Sequence, residues 1–355
     1  MSTSTRTPTV PTDTTGTTEP AASEGPDSAI GLRLVGVVLG LVGAVCLMVL
    51  AFLAPAINAG PHDLPIAVSG PEQAVTAVTS ALDAADPDAF DVTVHDSTAS
   101  VEDAVHGRDA VGGISIEADG SVTITTAGGA GTPYAALLGS VGEGLTAQGM
   151  TVTTHDVAPL TEDDPNGTGL SALAMPLAFG GMISAVLLST VLKGRPVLRI
   201  VGAVLASLAV GFAVVAILQF GFGSVDGSYV RTSLALALGT SAISLFVLGM
   251  ESLFGFAGLG IGGALMMFVG NPLSGMATGW QWLPSPWGFI GQLLPIGASG
   301  TLVRSAAFFD GQGAGMEIIV LSCWAVGGAG LLGLSVLRSR RRAHRAAVAA
   351  HPHAA

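Results

Sequence analysis

Long apolar runs alternate with short polar segments along most of the chain, and one long polar block separates the first run from the others. The first run, residues 30–53, is longer than the apolar core of a signal peptide, which spans about 7–15 residues, and it predicts an uncleaved membrane-spanning helix. Five further runs follow the polar block, at 170–192, 198–220, 232–250, 253–269 and 315–337.

The fourth and fifth runs are nearly continuous from Leu234 to Gly270. A single helix of that length would measure about 55 Å, whereas the hydrocarbon core of a bilayer is about 30 Å thick. A tight turn is therefore expected near Glu251–Gly255, and the pattern predicts six transmembrane helices.

Strand and helix signals alternate within the polar block, residues 59–168. Alternating apolar positions predict strands in LPIAVSG, FDVTVHD, VGGISIEAD, SVTITTA and MTVTTHDV, with a hairpin at Asp119–Gly120. Apolar residues at helical spacing predict three helices between these strands. The block is expected to form an α/β domain inserted between transmembrane helices 1 and 2.

Composition supports a membrane protein, because 50% of the residues are hydrophobic and only 11% are charged. The net charge of −12 comes mostly from the block between Asp63 and Asp164, which does not indicate nucleic-acid binding. Cys46 and Cys323 both lie in apolar runs, so neither can form a disulfide within the polar block.

Basic residues collect at the cytoplasmic ends of transmembrane helices, and their distribution predicts the orientation. With a cytoplasmic N-terminus, only Arg108, Arg231 and Arg304 of the 13 basic residues lie outside. Both termini are then cytoplasmic and the acidic α/β domain is extracytoplasmic. We expect a multi-pass protein of the bacterial cell membrane, the bacterial origin being suggested by the bias to Arg, Ala and Gly.

These inferences describe an α-helical membrane protein with one inserted domain. They divide the chain into five regions. The regions are a disordered cytoplasmic tail (1–29), transmembrane helix 1 (30–58), the extracytoplasmic α/β domain (59–168), a five-helix transmembrane region (169–338) with an outer interfacial segment near 271–313, and a basic cytoplasmic tail (339–355).

The stretch GNPLSGMATGWQWLPSPWGFIGQLLP, residues 270–295, interrupts the apolar pattern with proline and glycine. Non-helical backbone within a bilayer is tolerated only at an interface or inside protein. The stretch therefore lies at the outer surface or enters the membrane as a re-entrant element. Trp280, Trp282 and Trp287 fit either position, because indole rings favour the headgroup level; we expect the stretch to run along the outer surface.

Chemistry-bearing residues are sparse in this sequence. Glu251 and Glu317 are the candidate intramembrane carboxylates for a proton or cation site, since such groups are costly unless they are functional. The chain contains no HExxH, CxxC or GxSxG motif, and we expect no catalytic residue, metal or cofactor. Two strands end in His-Asp, at His95 and His155; water-facing strand ends are the favoured interpretation and a metal site is the alternative.

The order of these segments, with the motifs GNPLSG, WLP and LLPIGASGTLVRSAAFFDG, resembles the type-2 ABC transporter permeases, in particular the phage-infection-protein branch. The resemblance covers residues 30–338. It implies that an outer gate region is shaped by the matching residues, which are Asn271, Pro272, Ser274, Gly275, Leu294, Pro295, Gly297, Ala298 and Arg304.

The resemblance also implies export of a hydrophobic or envelope-related substrate, driven by a separate ATP-binding subunit. The chain has no GxxxxGK[ST] phosphate-binding loop of its own. The alternative is a non-transporting receptor or scaffold whose extracytoplasmic domain binds a partner. Small residues four apart within the apolar runs, such as Gly36 and Gly40, predict close helix packing inside one subunit, with a homodimer interface as the other interpretation.

Overall fold

The structure is a computed structural model that describes residue 3 and residues 26–350, with side chains described from residue 30 to residue 345. Most of the tail predicted over 1–29 lies outside the described residues, as do residues 351–355. The protein is mostly helical, with a small mixed sheet. Its contacts divide it into two units, residues 1–49 and residues 50–355, which are described separately.

The first unit consists of the greater part of helix α1, Pro26–Ile57. The helix has 32 residues, and its stretch from Ile30 to Ile57 has a mean hydropathy of 2.9. A bilayer core requires about 20 apolar residues in a helix, so α1 is long and apolar enough to cross a membrane, as the sequence predicts.

The α/β domain begins the second unit and contains every strand and helix that the sequence predicts for it. Strand and helix alternate along the chain as β1 (Leu64–Ser69), α2 (Glu72–Ala85), β2 (Phe90–His95), α3 (Thr98–His106), β3 (Gly112–Ile116), β4 (Val122–Thr126), α4 (Thr132–Ala147) and β5 (Val152–Asp156). The sheet order is β2-β1-β3-β4-β5, and only the β3–β4 hairpin is antiparallel.

The alternation of side chains along β1 gives the sheet two covered faces. Leu64, Ile66 and Val68 belong to one apolar cluster, which also contains buried residues of α2 and α4. Ala67 belongs to a second cluster that contains residues of α3 together with Phe309, which lies far downstream in the chain. One face of the sheet is therefore covered partly by the helical region.

The two His-Asp strand ends lie at opposite edges of the sheet, because β2 and β5 are its outer strands. Four strand spacings separate His95 from His155, about 19 Å, which is too far for a shared metal ion. His155 Nδ1 instead lies 2.8 Å from a carboxylate oxygen of Glu102. Within the described residues, no group of three His, Cys, Asp or Glu could hold a metal.

The helical region follows the domain. Its helices are α5 (Thr168–Ser171), α6 (Ala174–Val191), α7 (Pro196–Ala216), α8 (Tyr229–Phe254), α9 (Phe256–Ala264), α10 (Trp287–Gln292), α11 (Pro295–Phe308) and α12 (Gly315–Ala350). Turns of π-helix extend α7 over Ile217–Gly221 and α9 over Leu265–Gly270. The tail predicted over 339–355 thus continues the last helix as far as Ala350.

Helix α8 is the centre of this region and packs against α6, α7, α9, α11 and α12. In its most apolar stretch 78% of the residues are buried, against 33%, 22% and 22% in the corresponding stretches of α6, α7 and α12. The outer helices direct large apolar side chains away from the bundle, which is the distribution expected for helices in contact with lipid.

Five helices of the described chain are long and apolar enough to cross a membrane, where the sequence predicts six. They span Ile30–Ile57, Thr168–Val191, Pro196–Gly221, Tyr229–Phe254 and Gly315–Arg345.

The remaining predicted span forms the shorter apolar helix Phe256–Gly270. It is at most about 22 Å long at the usual helical rise. The predicted turn before it is present, because α8 ends at Phe254 and Gly255 has a φ of 64°.

The segment predicted to be interfacial, near 271–313, includes a buried helix. Residues 295–308 form α11, in which all but one residue is buried against the bundle and the α/β domain. The sequence of α11 is poor in large apolar residues and so does not look like a buried helix. Its Gly, Ala and Ser residues instead let neighbouring backbones approach closely.

Candidate functional site

The segment that follows the π turn of α9, residues 271–286, turns back instead of continuing as a helix. Ser274 Oγ donates a hydrogen bond to the Asn271 carbonyl at 2.7 Å, which closes a turn that contains Pro272. Asn271 Nδ2 faces the sulfur of Met175 at 3.8 Å. These predicted gate residues therefore shape a backbone turn at the end of an apolar helix.

A second turn places this segment against the α/β domain. The Gly279 amide donates to the Gly275 carbonyl at 2.8 Å, and the two residues have φ values of 91° and 62°. A Cβ atom on Gly279 would overlap the ring of Tyr134. Glycine is required at this position both for the left-handed backbone and for the close approach.

Buried polar side chains connect the same segment to α10 and α11. Thr301 Oγ1 donates to Gln292 Oε1 at 2.7 Å, and Gln292 Nε2 donates to the Ser274 carbonyl at 3.1 Å. Pro295 occupies the first turn of α11, where its missing N–H costs nothing. Gly297 lies so close to the Gly291 carbonyl that a Cβ atom would overlap it.

Arg304 is the buried cation of α11, with only 6% of its surface exposed. Its Nη2 donates to the Met276 carbonyl at 2.9 Å. Burial, and then the nearby Arg108 charge, lower the pKa of Arg304 to about 10. The guanidinium is therefore still charged at neutral pH.

Arg108 approaches from the loop after α3, on the α/β domain. Its Nη1 donates to the Thr301 carbonyl at 3.0 Å, and its guanidinium lies 5.1 Å from the centre of the Phe309 ring. Burial lowers the pKa of Arg108, and the Glu317 carboxylate and Tyr134 oppose that effect. The residue has a φ of 69°, a left-handed backbone conformation that is unfavourable for a long side chain such as arginine.

Tyr134 completes the domain side of the site. Its hydroxyl donates to Gln281 Oε1 at 3.1 Å, and the edge of its ring meets Trp282 at 5.7 Å between centroids. Burial raises the pKa of Tyr134, so the hydroxyl stays protonated and acts as a donor.

A small cavity of about 20 Å³ lies where these groups meet. That volume is enough for one water-sized species, since about 10–15 Å³ holds one water molecule. The cavity is bounded by residues of α3 and its loop, α4, the segment 271–286 and α11; its polar lining is Arg108, Tyr134, Gln281, Thr301 and Arg304.

The three tryptophans predicted at a lipid headgroup level have different environments. Trp280 and Trp282 form a short 3-10 helix, and both are partly buried. Trp282 packs against Tyr134, and its carbonyl accepts a hydrogen bond from the Gly60 amide at 2.9 Å. Trp282 thus contacts protein, whereas Trp287 is half exposed.

Glu251 lies at the other end of the bundle and forms an ion pair that the sequence analysis did not identify. Arg199 Nη1 donates to its carboxylate at 2.9 Å. The same guanidinium donates to the carbonyls of Ser189 at 2.7 Å and Leu192 at 3.1 Å. Arg199 thereby ties the end of α6 and the start of α7 to the end of α8, and the structure assigns Glu251 a structural contact.

Glu317 lies in the first turn of α12 and is only 9% exposed. One of its carboxylate oxygens, Oε2, is buried and has no hydrogen-bond partner in the described part of the chain. A negative charge is favourable at this position because the N-terminus of a helix carries a partial positive charge. The two candidate carboxylates thus lie at opposite ends of the bundle and cannot act together.

The fold brings together Ser274, Gly275, Gly297 and Arg304 from the predicted gate set, and it adds Arg108, Tyr134, Gln281, Gln292 and Thr301 to them. A sequence signal could have identified one of the additions, Arg108. Arg108 is the one basic residue of an otherwise acidic domain, between residues 59 and 168, and its isolation indicates a specific contact. Comparison of the chain with protein-family models, with curated proteins and with solved structures finds no match.

Proposed function

We propose that the chain is a permease-like subunit of an ABC-type exporter that moves a hydrophobic or envelope-related substrate with a separate ATP-binding subunit. The observation that carries the proposal is the return of an interrupted segment, 271–294, into the bundle as the buried helix α11. Broken helices whose irregular backbone is enclosed by protein are the structures from which transporters build substrate paths.

The direct connection between the α/β domain and α11 supports this proposal. Arg108 of the domain bonds to the backbone of α11, and Gly129 lies so close to Phe308 that a Cβ atom would approach its side chain to 2.6 Å. Packed interfaces of this kind move between discrete arrangements rather than deforming gradually. A movement of the domain would therefore be transmitted to the helix that closes the path.

Six crossings remain part of the proposal, with Phe256–Gly270 as the fifth. Its first residue follows the turn at Gly255, near the Arg199–Glu251 pair, and its last residue precedes the Asn271–Ser274 turn, near α11. The segment thus connects the two ends of the bundle although it is short. With six crossings and the basic residues gathered on the cytoplasmic side, the domain would lie outside the cell and both termini in the cytoplasm.

Cysteine labelling tests this orientation. In a variant with both native cysteines replaced, we expect Ala84→Cys, exposed on α2, to react with a membrane-impermeant maleimide in intact cells. Ala343→Cys, exposed near the end of α12, is the matched control and should react only after permeabilisation. The reverse pattern would overturn the orientation.

Isolation of the tagged full chain in mild detergent tests the exporter proposal. An ATP-binding subunit should copurify, and deletion of the gene should lower efflux of lipophilic compounds. Charge reversal of Lys193 and Arg195, in the short loop between α6 and α7 that the proposal places in the cytoplasm, should release that subunit. Arg231→Glu, at the opposite end of the bundle, is the control and should leave the subunit bound. Unchanged efflux in the deletion strain, with no ATP-binding subunit recovered, would contradict the proposal.

A receptor or scaffold is the second candidate, and one observation favours it. An open cleft of about 490 Å³ lies on the α/β domain between α4 and the segment that follows β5, lined in part by Thr132, Asp156, Glu162 and Asn166. Ligand pockets commonly reach this volume. A ligand-induced increase in the Tm of the full chain that Asn166→Leu abolishes, together with unchanged efflux in the deletion strain, would favour this candidate over the exporter.

A further inference from the structure

Two guanidinium groups from separate parts of the fold line one small cavity. Arg108 reaches it from the α/β domain and Arg304 from α11. Each donates a single hydrogen bond to a backbone carbonyl within the described chain, to Thr301 and to Met276. One guanidinium has five N–H donors. Most of the N–H groups of the two side chains therefore have no acceptor among these carbonyls.

Neither guanidinium forms an ion pair among the side chains described, residues 30–345, at a limit of 4.0 Å between nitrogen and carboxylate oxygen. Glu317 is the carboxylate that influences Arg108 electrostatically, but it makes no such contact. Two cations and one carboxylate leave a net charge of +1 at a site where Arg304 is buried and Arg108 is partly buried. An uncompensated buried charge is strongly unfavourable, so it calls for a counter-ion.

The size of the cavity limits the counter-ion. A volume of about 20 Å³ admits a species close to the size of a water molecule. A chloride ion is only slightly larger than water, and it is the simplest anion that fits such a volume. The cavity chemistry also suits a halide, because its lining contains two cationic groups with unused N–H donors. The Tyr134 and Thr301 hydroxyls already donate to Gln281 and Gln292, so the guanidinium groups would supply the hydrogen bonds to the ion.

We propose that this cavity binds one halide ion, chloride in the first instance, between Arg108 and Arg304, and that the ion holds the α/β domain on α11. This inference does not depend on transport, because it concerns only the junction of two parts of one chain. The ion would neutralise the remaining positive charge and supply an acceptor to both guanidinium groups.

Thermal unfolding of the detergent-purified full chain tests the proposal. Replacing gluconate by chloride at constant ionic strength should raise the Tm along a saturating curve, by about 5 °C at 100 times the Kd. Bromide should substitute for chloride. A single anomalous-scattering peak between Arg108 and Arg304 in bromide-containing crystals would locate the ion without any variant.

Variants separate the site from general salt effects. Arg304→Gln and Arg108→Gln should each abolish the chloride-dependent rise in Tm. Arg199→Gln, which removes the other buried guanidinium, should lower the Tm and leave that rise intact. Glu317→Gln should strengthen chloride binding by removing the opposing charge.

Three results would overturn the proposal. They are equal Tm values in chloride and gluconate, a chloride response that Arg304→Gln retains, and bromide-containing crystals with no peak in the cavity. Stabilisation by phosphate or by anionic lipid in place of chloride would also contradict it, because it would show that the site accepts a larger anion. If Arg304→Gln fails to fold, the bromide peak and the Glu317→Gln response still decide the matter.

Discussion

Each end of the helical bundle buries an arginine, and the two arginines are satisfied to very different extents. Arg199 has three acceptors, one of them the Glu251 carboxylate at 2.9 Å. Arg304 has one backbone acceptor in the described chain and borders a cavity that it shares with a second guanidinium. The chain completes the first site by itself and leaves the second with unused donors, which is why only the second is a candidate for binding.

The backbone is regular around the arginine with three acceptors and irregular around the arginine with one. Arg199 is surrounded by the ends of three continuous helices, α6, α7 and α8. Arg304 is surrounded by turns, a 3-10 helix and the loop that carries Arg108. Regular helices fix a structural ion pair, whereas irregular segments held by a rigid scaffold are where binding sites commonly occur.

Removing the carboxylate from the satisfied arginine should have the largest effect. We expect Glu251→Ala to lower the free energy of unfolding by about 3 kcal/mol, because it leaves a buried guanidinium without its counter-charge. This value is at the low end of the usual range, since the Glu251 side chain is 20% exposed.

The double variant Arg199→Met with Glu251→Leu is the control for that change. It should recover most of the loss, because no unpaired charge remains; the carbonyls at the end of α6 lose a donor but can still be hydrated. Unfolding of the detergent-solubilised protein measures both effects. A double variant as unstable as Glu251→Ala would show that the loss does not come from an unpaired guanidinium.

The junction on the Arg304 side should also be sensitive to packing. Gly279→Ala should destabilise the protein by about 2 kcal/mol, because alanine adds backbone strain at a φ of 91° and a steric overlap with Tyr134. Gly149→Ala is a matched control: its φ is 89°, but a Cβ atom there would contact nothing within 4 Å. Equal losses in the two variants would disprove the steric contribution.

Local patterns account for the elements that the sequence predicts correctly. Alternating positions along 64–69 and the hairpin at Asp119–Gly120 determine the strands, and glycine at position 255 allows the sharp turn between α8 and α9. Length and hydropathy account for the five long helices. Each of these features depends on residues that are close in sequence.

The candidate site depends on contacts between residues far apart in sequence. The Arg108–Thr301 hydrogen bond joins positions separated by 193 residues, and Tyr134 meets Gln281 across 147. No local pattern predicts which arginine faces which helix. The burial of α11 is hard to predict for a related reason, because its small residues become evidence of burial only when the α8 helix that they contact is known.

The buried hydrogen bonds that position α11 should contribute less than the packing at Gly279. Thr301→Val removes the donor to Gln292 Oε1 while preserving side-chain shape, and we expect a loss of about 1 kcal/mol. Thr190→Val is the control, since the exposed Thr190 hydroxyl bonds only to carbonyls of its own helix. Scanning fluorimetry should show a lower Tm for Thr301→Val alone; an equal shift in both variants would contradict the role of Gln292.

The smallest effect should come from the exposed ion pair near the Arg304 end of the bundle. Arg231 Nη1 lies 3.2 Å from an Asp310 carboxylate oxygen, and 77% of the Asp310 side chain is exposed. Asp310→Asn should cost at most about 0.5 kcal/mol, because water and salt screen such pairs. Asparagine tolerates the left-handed backbone at this position, where φ is 54°, so the substitution changes charge alone. The difference in Tm should vanish at high salt; a salt-independent loss as large as that of Glu251→Ala would mean that exposure does not distinguish the two ion pairs.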